Sequence, residues 1–117
     1  MNLNDMARKA FMYACQRQIK EWIGSPFDVV AMCRHASSEL FEVIDAYKGW
    51  QAKACNPNVF FDKDVDSAKS AFADEVADVI MCGLIMASAQ GVDIEAALLA
   101  CLEKNRKRAV ENEKDSD

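Results

Sequence analysis

The chain has 117 residues, 51% hydrophobic and 28% charged, a composition that excludes a disordered segment and leaves room for a single domain. Its net charge is −5, with Lys104-Asn-Arg-Lys-Arg108 as the one basic run, which argues against a nucleic-acid partner bound through phosphate neutralisation. There is no apolar run of membrane-spanning length and no continuous apolar core at the N-terminus, so a cytoplasmic protein without a membrane partner is expected. In chain order, helical periodicity starts near Leu3 and runs to Ile23, where Gly24 interrupts it. Ser25 then reads as an N-cap with Pro26 at the first helical position, opening a long helix over about 26–53. Cys55-Asn-Pro-Asn-Val-Phe-Phe-Asp-Lys-Asp64 is the one extended loop, in which Phe60-Phe61 reads as a hydrophobic plug. A third helix is expected over about 65–90, ending at Gly91, and a fourth over 93–110 with Asp93 as its cap. Residues 111–117 form a polar tail behind the domain at 1–110. The fold class is therefore all-α, a four-helix bundle.

Cysteine and histidine usage narrows the chemistry. The five cysteines (15, 33, 55, 82 and 101) are odd in number and contain no Cys-x-x-Cys pair, which argues against a disulfide framework or thiolate zinc site. His35 is the only histidine, so sites that need several imidazoles, including di-iron carboxylate bundles, are disfavoured.

Two acidic patterns stand out, Glu39-Leu-Phe-Glu42 and Glu75-Val-Ala-Asp78. Residues three apart share a helix face, so each pattern is a pair of carboxylates side by side. On the second helix Val29, Met32, Cys33, Ala36, Leu40, Val43, Ile44 and Tyr47 form an apolar sector, with Glu39 and Glu42 at its edge and His35 between them in angle. On the third, Glu75 and Asp78 share a face with Ala71 and Cys82. Two facing pairs would make a four-carboxylate cage of the kind a hard divalent cation takes. The competing reading is ordinary helix acids pointing to water. From Val76 to Ala89 the third helix carries one charge, Asp78, and is apolar all round. Such a helix needs cover on every side, which predicts a homo-oligomer built on it, unless the fourth helix supplies the cover.

Ala36-Ser-Ser-Glu39-Leu-Phe-Glu42 and Asp74-Glu75-Val-Ala-Asp78-Val-Ile together resemble the Glu-x-x-Glu … Glu-x-x-Asp signature of the all-α nucleoside triphosphate pyrophosphohydrolases. This MazG-like superfamily includes dimeric dUTPases, dCTP pyrophosphatases and phosphoribosyl-ATP pyrophosphohydrolase. The likeness continues through Gly91-Val-Asp-Ile-Glu-Ala-Ala to Asn105-Arg-Lys-Arg108 and covers about residues 18–108. It implies an enzyme, a hydrolase that cleaves (d)NTP between the α and β phosphates to (d)NMP and pyrophosphate, with a nucleotide-pool role. It implies Glu39, Glu42, Glu75 and Asp78 as both metal ligands and catalytic groups, with Mg²⁺ as cofactor and Mn²⁺ as a substitute, in a homodimer or homotetramer.

By the same resemblance Lys104, Asn105 and Arg108 contact phosphate or sugar, and Trp22 and Trp50 stack the base. His35 is a candidate to orient substrate or a carboxylate. Each has a structural alternative. The cations suit a helix C-terminus, the tryptophans suit the ends of a core, and a lone histidine is commonly just hydrogen-bonded. One departure is Cys101, where the family often has a lysine four residues before the asparagine. The alternative function is a non-catalytic oligomerising helical interaction or regulatory module with solvated acids.

Overall fold

Helical periodicity becomes helix at each expected place in the computed structural model, which describes residues 1–21, 25–56 and 62–115. The order is α1 (Leu3–Glu21), α2 (Val29–Ala54), α3 (Asp62–Ala89) and α4 (Ile94–Asp115), with no strand among the described residues. No helix of the described residues is long and apolar enough to cross a membrane.

Local chemistry sets the boundaries. Before α2 two caps compete, and Asp28 wins over the expected Ser25. The Ala31 amide donates to Asp28 Oδ1 at 3.0 Å, and Asp28 itself is extended (φ −85°, ψ 99°). Ser25 instead closes a turn, its Oγ accepting from the Phe27 amide at 3.2 Å and its carbonyl from the Asp28 amide at 3.0 Å. Pro26 is thus a buried turn residue, and α2 starts three residues later than the sequence predicts. α3 begins at Asp62, inside the expected loop. Its end has the geometry that glycine permits. Gly91 is left-handed (φ 69°), its amide donates to the Ser88 carbonyl at 3.2 Å, and the Val92 amide reaches the Ala87 carbonyl at 2.8 Å.

Asp93 caps α4 as expected, its Oδ1 accepting from the Ala96 amide at 3.0 Å. Asn4 ties that cap to α1. Its Nδ2 donates to Asp93 Oδ1 at 2.8 Å, and its Oδ1 accepts from the Glu95 amide at 3.3 Å. The Asn4 hydrogen bond, then the Ala96 amide, hold the Asp93 carboxyl below its usual range. α4 runs on to Asp115, past its expected end near residue 110, because no proline or glycine stops it.

α2 and α3 pair antiparallel along their length, and α1 lies against α3. Ala7 and Ala14, seven apart on α1, are 3% and 5% exposed, and such small side chains let two helices approach closely. The core is completed by Met32, Cys82, Leu84 and Ala87.

α4 departs from a closed four-helix bundle. It meets α1 and α3 but not α2. Beyond Glu95 every side chain described on it is exposed, including Leu98, Leu99 and Leu102. Nor is α3 sealed, with Ile80 58% exposed. The apolar sector expected on α2 buries only Met32 fully, and Leu40, Ile44 and Tyr47 stay open to solvent. The radius of gyration is 18.3 Å, against about 13 Å for a compact domain of this length.

Candidate metal centre

Because α2 and α3 run antiparallel, the two acidic patterns meet at mid-helix. One carboxylate oxygen each from Glu39, Glu75 and Asp78 lies within 4.8 Å of the others. Glu42 adjoins two of them, Glu39 and Glu75. The helical spacing thus does what the sequence suggests, bringing two pairs into one group.

These acids are not all solvated. The Glu39 side chain is 14% exposed, and the Oε2 atoms of Glu39 and Glu75 are buried with no hydrogen-bond partner. Burial pushes both carboxyls above the ordinary value of 4.5, and the neighbouring Glu42 carboxylate pushes them further. Asp78 adds its charge to both. On Glu39 one group acts in the opposite sense, the imidazole of His35, whose Nε2 is 3.3 Å from Oε1. Cys82, one turn after Asp78, is buried beside the acids. Burial first, then the charges of Glu39 and Asp78, raise its thiol above the usual value.

An orphaned buried carboxylate oxygen is costly unless something positive meets it. The donors here are all hard oxygens, which suits Mg²⁺ or Mn²⁺ over softer metals. A Mg²⁺ ion holds ligands at about 2.1 Å, so opposite ligands stand about 4.2 Å apart. Adjacent ligands stand closer, about 3 Å apart, so three oxygens within 4.8 Å of one another converge on one ion after side-chain movements of up to about 2 Å. The residues present therefore fit a divalent cation.

A cavity of about 170 Å³ adjoins the group. Arg17 from α1, Met32 and His35 from α2, and Met81, Cys82 and Ile85 from α3 line it, with Glu39 and Asp78 at one side. Arg17, Met32, Met81 and Ile85 escaped the sequence reading as site residues. Cys82 was legible from its spacing to Asp78. Arg17 was not, because its place depends on how α1 registers against α3.

The remaining expected contacts fall elsewhere. Trp50 packs against Phe72 and Tyr47, with ring centroids 5.5 and 6.2 Å away, and Lys69 Nζ lies 6.0 Å from its ring. That cluster is two helical turns beyond Glu42, and it does not border the cavity. Lys104, Asn105 and Arg108 are exposed on the projecting part of α4, and this chain does not bring them to the carboxylates. Trp22, Phe60 and Phe61 lie outside the described residues.

The model of the MazG-like family matches residues 40–117, two thirds of the chain, taking in Glu42, Glu75 and Asp78 and beginning one residue after Glu39. Among curated proteins and solved structures nothing matches.

Proposed function

The chain belongs to the MazG-like family, and from that membership together with its half-buried carboxylate group we propose that it is a nucleoside triphosphate pyrophosphohydrolase. The reaction is hydrolysis of (d)NTP between the α and β phosphates, giving (d)NMP and pyrophosphate, in the service of the nucleotide pool of the cytoplasm. The observation that carries the reading is the pair of orphaned Oε2 atoms on Glu39 and Glu75, which favours a cation over solvated acids.

Glu39, Glu75 and Asp78, with Glu42 beside them, are the residues that would hold Mg²⁺, with Mn²⁺ as substitute. When bound, the cation supplies charge neutralisation for the triphosphate and a more acidic water. The chain's own part is positional. Four acids on two packed helices form a rigid anionic wall that admits a polyanion only together with a cation. Glu42, exposed and beside both Glu39 and Glu75, is placed to accept a proton from an incoming water. His35 holds Glu39 from the previous turn.

The assembly belongs to the same reading. Open apolar faces on α2, α3 and α4 support a homodimer or homotetramer. In such an assembly Lys104, Asn105 and Arg108 reach a triphosphate from the α4 of a second copy, since their own chain holds them away. The test is pyrophosphate release from a panel of NTPs and dNTPs with Mg²⁺. Wild-type protein is expected to turn over at least one nucleotide. Glu39→Gln and Glu75→Gln are expected to lose activity by 100-fold or more, about what a charge-stabilising active-site group contributes, while circular dichroism stays helical. No turnover on any nucleotide overturns the reading in favour of a non-catalytic module.

A further inference from the structure

We propose, resting on the pyrophosphohydrolase reading, that the groove between α1 and α3 is a second arm of the same site. It receives the second nucleoside of a dinucleoside polyphosphate, which the protein cleaves as it does an NTP. The groove has a volume of about 330 Å³ and runs beside Met6, Tyr13 and Met81. It is continuous with the carboxylate cavity, since Ala14, Arg17, Asp78, Met81 and Ile85 border both. Asp78 thus stands where two compartments meet, one reaching Met32 and His35 on α2, the other following α1 back to Lys9. A polyphosphate held at the carboxylates has room for a group at each end.

The groove's chemistry does not match the pyrophosphate that an NTP releases. Pyrophosphate is all charge, whereas the groove offers Met6, Tyr13, Met81 and Ile85. Tyr13 is 56% exposed and Met81 36%, so apolar surface lies open beside a charged centre, where a ligand's ring would cover it. Tyr13 can stack on a base, and the methionine sulfurs adapt to its edge. Lys9, Tyr13 and Arg17 follow one another in four-residue steps on one side of α1, about 6 Å each at 1.5 Å per residue. Of the three, Arg17 alone also borders the carboxylate cavity, so the row leads away from Asp78 as guanidinium, ring and ammonium. Arg17 already has a partner, but a guanidinium carries five N–H donors and can hold a phosphate as well. A ligand that continues from phosphate to aromatic base meets the matching group at each step. Cleavage needs no reactant besides water. The water oxygen bonds to the α phosphorus, the oxygen bridging to the β phosphorus leaves with its electron pair, and the proton goes to Glu42. A dinucleoside tetraphosphate then yields a nucleoside monophosphate and a nucleoside triphosphate.

The experiment compares each NTP or dNTP that the protein turns over in Mg²⁺ with the symmetrical dinucleoside tetraphosphate of the same nucleoside, separating products by anion exchange. At least one tetraphosphate is expected to give monophosphate and triphosphate with a kcat/KM no lower than that of its nucleotide. Tyr13→Ala should lower kcat/KM tenfold or more for that dinucleotide and less than twofold for the nucleotide, while Tyr13→Phe keeps both. In calorimetry, the α,β-methylene analogue of diadenosine or diuridine tetraphosphate should bind tenfold or more tighter than that of ATP or UTP, an advantage lost in Tyr13→Ala. Turnover of nucleotides but of no tetraphosphate overturns the proposal, as does an equal loss for both substrates in Tyr13→Ala. A Tyr13→Ala protein that changes its oligomeric state in sedimentation also overturns it, since the groove is then a contact between copies. Turnover of neither class overturns the pyrophosphohydrolase reading instead, and the calorimetry still decides whether the groove takes the second nucleoside.

Discussion

Glu39 and Glu75 keep an oxygen out of water with nothing to meet it, and their carboxyls are pushed upward as a result. A raised carboxyl means that the folded state binds more protons than the unfolded chain. The stability of the metal-free protein therefore falls as pH rises from the ordinary value of 4.5 toward the raised values, and the deficit persists at neutral pH. Glu75→Gln removes one repelling charge. It is expected to raise the metal-free melting temperature at pH 7 and to abolish the further rise that Mg²⁺ gives the wild type. Scanning calorimetry with and without Mg²⁺ at pH 5 and pH 7 checks both, and a Glu75→Gln protein less stable than wild type without metal contradicts the account. The same protons compete with the cation, so the Mg²⁺-induced rise should shrink at pH 5. At this scale the sequence was informative because a spacing of three is itself a statement about a helix face. Which oxygen of each pair ends up orphaned was not legible, since it depends on how deeply two helices press together.

Elements repeat the contrast. Four helices were legible from apolar periodicity and glycine stops, and the end of α3 at Gly91 follows from the left-handed turn that glycine alone adopts easily. The start of α2 was misread because Ser25 and Asp28 both qualify as caps, and only the chain path shows which side chain reaches an amide three residues on. α4 outran its expected end because charge alone does not stop a helix, and Glu103–Arg106, with contacts at 2.7 and 3.0 Å, even supports it. Packing of α3 is concentrated at Cys82, Leu84 and Ala87. Leu84 is 3% exposed, so Leu84→Ala should cost about 2–5 kcal/mol in urea denaturation, the usual cost of a buried leucine. A loss under 1 kcal/mol would mean that Leu84 is not core.

As a whole the molecule is more open than a compact chain of its length, which supports the proposed assembly. Its radius of gyration exceeds the compact value by about 40%, and Leu98, Leu99 and Leu102 project on α4. The all-round apolar α3 predicted a missing partner, and Ile80 is left bare by α4. What the sequence did not convey is that the unpartnered surface extends to α4, because amphipathicity says that a face needs cover without saying whose. We expect Leu98→Glu combined with Leu102→Glu, on one face of α4, to convert an oligomer to monomer in sedimentation velocity. A wild-type protein that already sediments as a 13.0 kDa species contradicts this assembly.

Product identity tests the proposed activity most directly. In ³¹P NMR of the common NTPs and dNTPs, each incubated with the wild-type protein and Mg²⁺, the α, β and γ resonances of at least one should give way to nucleoside monophosphate and pyrophosphate alone, with no change when Glu75→Gln is used. Every triphosphate left intact, or conversion to diphosphate and inorganic phosphate, would contradict cleavage between the α and β phosphates at this carboxylate group.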